Sequence, residues 1–311
     1  MKILSRIAIL AVGAVTIALG SATPASAQAT RTWVSGVGDD ANPCSRTAPC
    51  KTFAGAISKT AIGGEINCLD PGGFGGVTIT KSLTIDCTGT QGSILAVGQN
   101  GVLVNGANVN VILRNLQINA ANSTIGNGVR ILQARSVIID NVTFTNFAGT
   151  GTNGRGISIE TATAGVTVQV INSRILNVTN FGIHSAPTAG NVVLDVDRTS
   201  ILRGGNSAIF LFNATTASIS NSVLSNNVAA GVATQNATTT AHLTNNVISF
   251  NGFGVANGLG GAATMRLYGN AITGNGIGVR IDAGSVFTYG NNGIRGNSGN
   301  EIPTQPSTGT Q

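Results

Sequence analysis

Apolar residues recur two apart in short runs, and the runs themselves recur along the chain. Pairs such as Val111/Leu113, Val137/Ile139, Val168/Val170, Leu194/Val196, Ala241/Leu243, Met265/Leu267 and Phe287/Tyr289 each read as a short strand with one apolar face. An Asn follows most of them, at 115, 141, 172, 221, 245 and 291, with Arg198 and Gly269 in the same register. Three positions later comes another apolar residue, Ile118, Phe144, Ile175, Ile201, Leu224, Ile248, Ile272 or Ile294, at intervals of 22–31 residues. A third register is Gly-Val or Gly-Ile, as in Gly128-Val129, Gly182-Ile183 and Gly254-Val255. Each repeat therefore predicts three short strands joined by turns. One such unit cannot bury its own apolar face, but stacked units share a core. Asn suits the bends because it tolerates left-handed backbone and bonds locally, and stacked Asn side chains can bond from one coil to the next. The pattern predicts an all-β, three-sheet parallel β-helix over 64–297.

The ends differ. Lys2 and Arg6, the apolar run Ile7–Leu19 and Ala25-Ser26-Ala27 follow the order of a secretory signal peptide over 1–27. The run is too short to span a bilayer, which takes about 20 residues, and no later stretch is longer. Residues 28–63 read as a cap. Within it Thr52 can N-cap a short helix with apolar Phe53, Ala56, Ile57 and Ala61, ending at Gly63-Gly64, and this helix would close the open end of the solenoid. Beyond Asn297 the chain is polar, with Pro303 and Pro306, and reads as a flexible tail over 298–311. Export favours disulfides. Four cysteines allow three pairings. Cys44 and Cys50 bracket one short loop, while Cys68 and Cys87 end two similar strands that would stack about 4.8 Å apart, so the pairs 44–50 and 68–87 are expected.

The pattern Asn-x-x-Ile, a second Asn, then Gly-Val, as in Asn221-Ser222-Val223-Leu224 leading to Gly231-Val232, resembles that of the right-handed parallel β-helix repeat proteins of the pectin-lyase-like superfamily. The resemblance covers roughly 64–297. It implies right-handed coiling, and it places the sites on the Gly-Val strand. It does not imply an activity, because the pattern describes coil geometry. Polygalacturonase-like members carry clustered Asp, a His between glycines and an Arg-x-Lys segment. Here His184 sits in Gly182-Ile183-His184-Ser185, and no Arg-x-Lys occurs. Calcium-dependent pectate lyases need several acids around the metal, and no such cluster is apparent.

Outward positions of the Gly-Val strand form one column, Leu103, Arg130, Ser158, His184, Phe210, Ala233, and a second with Glu160, Phe212, Gln235 and Asp282. The longest connections, 119–127 and 145–155, raise walls around Arg130, Ser158, Glu160 and His184, with Arg155 on a wall. The expected cleft has exposed Phe210 and Phe212 stacking on sugar rings, Arg130 and Arg155 meeting carboxylates, and Glu160 and Gln235 bonding hydroxyls. The blander alternative pairs Arg130 with Glu160 and covers both Phe. On the strand before the Asn bend, Asp195 and Asp197 stand about 7 Å apart, a spacing that could suit an inverting glycosidase. Glu160 and Asp282 lie five coils apart, roughly 24 Å, and cannot act on one bond. A lyase using His184 as base, with Arg130 or Arg155 neutralising a uronate, is the other catalytic candidate.

Composition narrows the readings. Charged residues make up 9% of the chain, against roughly 25% in an average soluble domain, which excludes a disordered polyelectrolyte and a coiled coil. Without the first 27 residues the balance is 15 basic to 11 acidic, far from the basic stripe of a nucleic-acid binder. Two His and no CxxC spacing imply no metal and no cofactor. The leading expectation is an exported, periplasmic or extracellular β-helix that binds a polysaccharide or another cell-envelope component without chemistry. The alternatives are a polysaccharide lyase or glycoside hydrolase acting on an acidic (uronate) polysaccharide, and a surface adhesin or scaffold.

Overall fold

A computed structural model describes residues 28–299; the expected signal peptide and most of the expected tail lie outside them. The chain winds as a three-sheet parallel β-helix. Each coil contributes one strand to a first sheet of eleven strands, one to a second of ten and one to a third of nine, and every pairing is parallel to the next coil. The coil at 110–133 is representative: Asn110–Arg114 in the first sheet, Leu116–Asn119 in the second, Val129–Gln133 in the third. Such parallel crossovers are right-handed in about 98% of cases, and so is this solenoid.

Alternation decides what goes inside. Val111, Leu113, Ile118, Val129 and Ile131 are buried, and their counterparts in successive coils stack in register into one continuous core. The bend between the first and second sheets is a single left-handed residue, with φ of 55° at Asn115, 53° at Asn141, 52° at Asn172 and 47° at Arg198. Asn pays little for this backbone, and its short amide bonds the neighbouring coil, as Asn172 does to Asp140 at 3.0 Å. A second left-handed corner, at Asn146, Asn177, Asn226 and Phe250 among others, ends the second sheet.

Immediately inside each corner runs a buried ladder. At the first, Ser222 N–H donates to Asn246 Oδ1, Asn246 N–H to Asn270 Oδ1, and Asn270 N–H to Asn292 Oδ1. At the second, Asn227, Asn251, Asn275 and Asn297 repeat the arrangement at 2.9–3.0 Å. These are the residues after the corner. The coil-to-coil bonding expected of the bend Asn is thus carried mainly by their buried neighbours, which saturate backbone N–H groups that water cannot reach.

The last coil departs from the expected register. Val286 pairs with Met265 and points inward, while Phe287 pairs with outward Arg266. Phe287 and Tyr289 therefore face out. The cause is one extra residue at the corner: Gly290 takes the left-handed position, and the ladder resumes at Asn292 rather than Asn291.

At the other end, Ala29–Val34 is already a strand of the first sheet, paired with Thr60–Cys68. Between them the helix Phe53–Lys59 is capped by Thr52, whose Oγ1 accepts from Gly55 N–H at 2.9 Å. It stops at Lys59 instead of Gly63-Gly64, because Thr60 and Ala61 already belong to the following strand. Phe53 and Ala56 are buried, and Phe53 packs on Phe74 with ring centroids 5.2 Å apart. Both expected disulfides form, Cys44–Cys50 and Cys68–Cys87, with Cα separations of 4.6 and 4.7 Å.

Candidate functional site

The outward column of the third sheet aligns as expected: Leu103, Arg130, Ser158, His184, Phe210, Ala233, Ala256 and Arg280 are register partners on successive strands. The connections 120–128 and 148–156 lead into it. The second is pinned between coils: Asn127 Nδ2 donates to Thr152 O, and Asn180 Nδ2 to Gly151 O and Asn153 O, each at 2.9 Å.

What these residues do differs from the expected open cleft. Arg155 is only 6% exposed. Its guanidinium donates to Ser158 Oγ at 2.7 Å, Glu160 Oε1 at 3.0 Å and Gly151 O at 2.9 Å, tying the wall to the sheet. Arg130 donates through Nε and Nη2 to Glu160 Oε2, at 3.2 and 2.6 Å. Glu160 thus lies between two guanidiniums and accepts from Ser158 as well. Burial alone would raise its carboxyl; the Ser158 hydroxyl and then Arg130 and Arg155 outweigh that and hold it below its ordinary value. Both arginines expected to meet ligand carboxylates are engaged by a carboxylate of the protein itself. Arg155 leaves its buried Nε without a hydrogen-bond partner, and Arg130, its side chain about one-third exposed, leaves Nη1.

The aromatic part is a stack. His184 lies against Phe181, centroids 4.9 Å apart, and nearly parallel to Phe210 at 5.6 Å. Phe181 and Phe210 touch at 4.8 Å, and Phe212 adjoins Phe210 at 6.5 Å. Phe210 and Phe212 are half-buried, not exposed: Phe210 is stacked on His184 from the preceding coil and touches Phe181, and Phe212 adjoins it on the same strand. His184, 9% exposed, has no hydrogen-bond partner at Nδ1. Burial first, and Arg155 nearby, push its pKa down to about 4, so the ring is neutral. Farther on, Ala233 and Ala256 are outward yet buried beneath Phe210, Phe253 and Leu259, and Arg280 stacks on Phe253 while bonding Asp282. Gln235 is half-buried beside Phe212.

Phe181 went unnoticed in the sequence. Its signal is its position immediately before Gly182-Ile183, the place Arg155 holds before Gly156-Ile157 and Phe253 before Gly254-Val255. Also unforeseen is a recess of about 400 Å³ where the helix meets the start of the third sheet, lined by Ala54, Ile57, Thr78, Gln99, Asn100 and Leu103. Leu103 is the register partner of Arg130, so the recess opens one strand from the ion network.

The first-sheet acids do not form a matched pair. Asp197 accepts from Asn221 and Ser220 at 2.8 Å each and pairs with Arg198. The Asn221 amide chiefly, then Ser220 and Arg198 against a burial cost, lowers its pKa. It stays charged and cannot serve as the proton donor that an inverting pair needs. On the same sheet Arg114 bridges Asp86 at 3.1 Å and Asp140 at 3.3 Å. Among the described residues no group of three His, Cys, Asp or Glu is placed to hold a metal ion, and no helix is long and apolar enough to cross a membrane.

A sequence profile described as the right-handed beta helix region matches residues 100–266. No curated protein matches the chain significantly. Among solved structures, a pectate lyase is similar with a TM-score of 0.57 at 15% identity, over 85% of this chain and 76% of its own. A rhamnogalacturonan lyase is similar with a TM-score of 0.55 at 10% identity, over 83% and 75% respectively. At such identities the likeness is one of fold.

Proposed function

The chain belongs to the right-handed β-helix family, and from that premise we propose that it is an exported glycan-binding protein that holds a polysaccharide on its third sheet without cleaving it. The observation that carries this reading is the recess beside Arg130. Its lining mixes the amides of Gln99 and Asn100 with the apolar surfaces of Ala54, Ile57 and Leu103, and Arg130, held by Glu160, stands on the next strand as the register partner of Leu103. Amides match sugar hydroxyls, and apolar side chains match the C–H faces of a pyranose. In this reading Arg130, Phe212 and Gln235 face the ligand, while Arg155, Ser158, Glu160, His184 and Phe210 fix their positions. Two disulfides fit an oxidising compartment, and the two similar solved structures are, by name, a pectate lyase and a rhamnogalacturonan lyase.

Binding without bond cleavage is favoured by the state of the candidate acid and base. Glu160 is held charged by two guanidiniums, and a general acid needs a raised pKa. His184 is neutral but enclosed by Phe181 and Phe210, away from any substrate proton.

The test is a glycan array followed by titration with the best ligand. Leu103→Trp, which fills the recess, and Arg130→Ala should each weaken binding by about tenfold, the worth of one anchoring contact. Full-strength binding by Leu103→Trp, or release of unsaturated or reducing ends from the bound glycan, would refute the reading.

A further inference from the structure

We propose that the C-terminal coils of the first sheet carry a separate site for one anionic sugar unit, a uronate of an acidic glycan, built from Arg266, Tyr268, Phe287 and Tyr289. It lies on a different sheet from the recess beside Arg130 and does not depend on it.

The register brings these side chains together. Arg266 pairs with Phe287, and Tyr289 follows Thr288 beside Tyr268, its N–H donating to Leu267 O. The four make a platform two strands wide and two outward positions deep, about 5 by 7 Å, the footprint of one sugar ring. The chain has two tyrosines, and both stand here, 49% and 44% exposed, in edge-to-face contact at 5.9 Å. Among the described residues neither hydroxyl has a hydrogen-bond partner. Half-exposed aromatics side by side on a sheet give a ring its C–H contact and leave phenolic oxygens for hydroxyls.

Charge selects the ligand. The Arg266 guanidinium lies over the Phe287 ring, 5.4 Å from its centroid, and has no carboxylate within ion-pair distance among the described residues. Six described arginines have one, whereas Arg46, Arg135, Arg174, Arg203 and Arg295 share the lack; what sets Arg266 apart is the ring beneath it and the tyrosine pair beside it. The nearest acids of this face, Asp195 and Asp197, stand three strands away, about 14 Å, and Asp197 is already engaged. The strand neighbour on the near side is His242, whose pKa burial first and then Arg266 lower; it adds no compensating negative charge. A guanidinium held over a ring, half-buried and without an ion pair, can offer its fork to a planar carboxylate. The uronate carboxylate would meet Arg266 while its ring lies on the tyrosines.

Calorimetric titration of the whole chain with a galacturonate trisaccharide, and with the neutral galactose trisaccharide of equal length, tests this. The uronate should bind, the neutral sugar at least about tenfold more weakly, as expected for losing a charge-assisted contact. Arg266→Gln and Tyr289→Ala should each cost about tenfold, with melting temperature unchanged, and added salt should weaken binding in the unmodified chain and in Tyr289→Ala but not in Arg266→Gln. In the Leu103→Trp background, whose recess is filled, uronate binding that persists and is lost on adding Arg266→Gln reports this site alone, which separates failure here from failure of the recess. No uronate binding, equal binding of both sugars, or binding indifferent to Arg266→Gln would overturn the proposal. So would tripolyphosphate competing as well as the uronate, or a dimer in sedimentation that Tyr289→Ala dissociates, since the platform would then serve a phosphate or a second copy.

Discussion

Replacing Asn251 by Ala tests how the solenoid holds its coils together. Asn251 is 4% exposed and makes four ladder bonds. Its Oδ1 accepts from Asn227 N–H at 3.0 Å and Asn227 Nδ2 at 2.9 Å; its Nδ2 donates to Leu224 O and Asn275 Oδ1, both at 3.0 Å. Truncation leaves the Asn227 N–H buried with no acceptor, worth about 1–3 kcal/mol, and removes three more bonds worth about 1 kcal/mol each. The expected loss is roughly 4–6 kcal/mol, falling to about 2 if water fills the vacated space. Asn226, next to the equivalent ladder residue, gives the comparison: it is exposed, has φ 58° and bonds only Ser225 Oγ. Asn226→Ala should cost about 1 kcal/mol, the penalty for a left-handed non-glycine residue. Urea denaturation ranks the two variants. Hydrogen exchange gives a local check that does not assume all-or-none unfolding: the Asn227 amide should lose protection in Asn251→Ala alone. If Asn251→Ala costs under about 1 kcal/mol and Asn227 stays protected, the ladder does not hold the coils.

Two further outcomes concern pH and the disulfides. The unfolded His184 takes up its proton near pH 6.5 and the folded one only near 4, so the unfolded chain binds more protons in between. Stability should therefore fall by roughly 3 kcal/mol as pH drops through that window; thermal melts of His184→Phe, which preserves the stack, should lack that dependence, and equal slopes would defeat the argument. The Cys68–Cys87 bridge closes a longer loop than Cys44–Cys50, with separations of 19 and 6 residues. Paired Ser variants should cost about 3 and about 2 kcal/mol, and urea midpoints in the opposite order would contradict the loop-closure account.

The inner half of the fold was legible in the sequence because a strand repeats every two residues and a coil every 22–31. Inward pairs, left-handed corners and the third-sheet column from Leu103 to Arg280 all follow from that arithmetic. It failed where the arithmetic slipped by one: anchoring the last coil on Asn291 turned Phe287 and Tyr289 inward, whereas the added corner residue leaves them outside. It failed differently on the outer face. Alternation says that His184, Phe210, Ala233 and Ala256 point outward, and they do. Alternation cannot say that Phe181, Phe253 and Leu259 then cover them, because burial depends on the size of neighbours one coil away.

That dependence explains where binding chemistry can sit on a parallel solenoid. The neighbours of an outward side chain are the residues in the same register one coil before and after, about 4.8 Å away on each side. An arginine with an acid in reach along that axis is neutralised, as Arg114 is by Asp86 and Asp140, and Arg130 reaches Glu160 on the diagonal of the next coil. Such pairs align the coils and add little net attraction for an anion. Arg266 has His242 on one side and Phe287 on the other, so its charge remains available to a partner from outside. The number of arginines on a face therefore says little about its ligand. What matters is the residue that the repeat places one coil away.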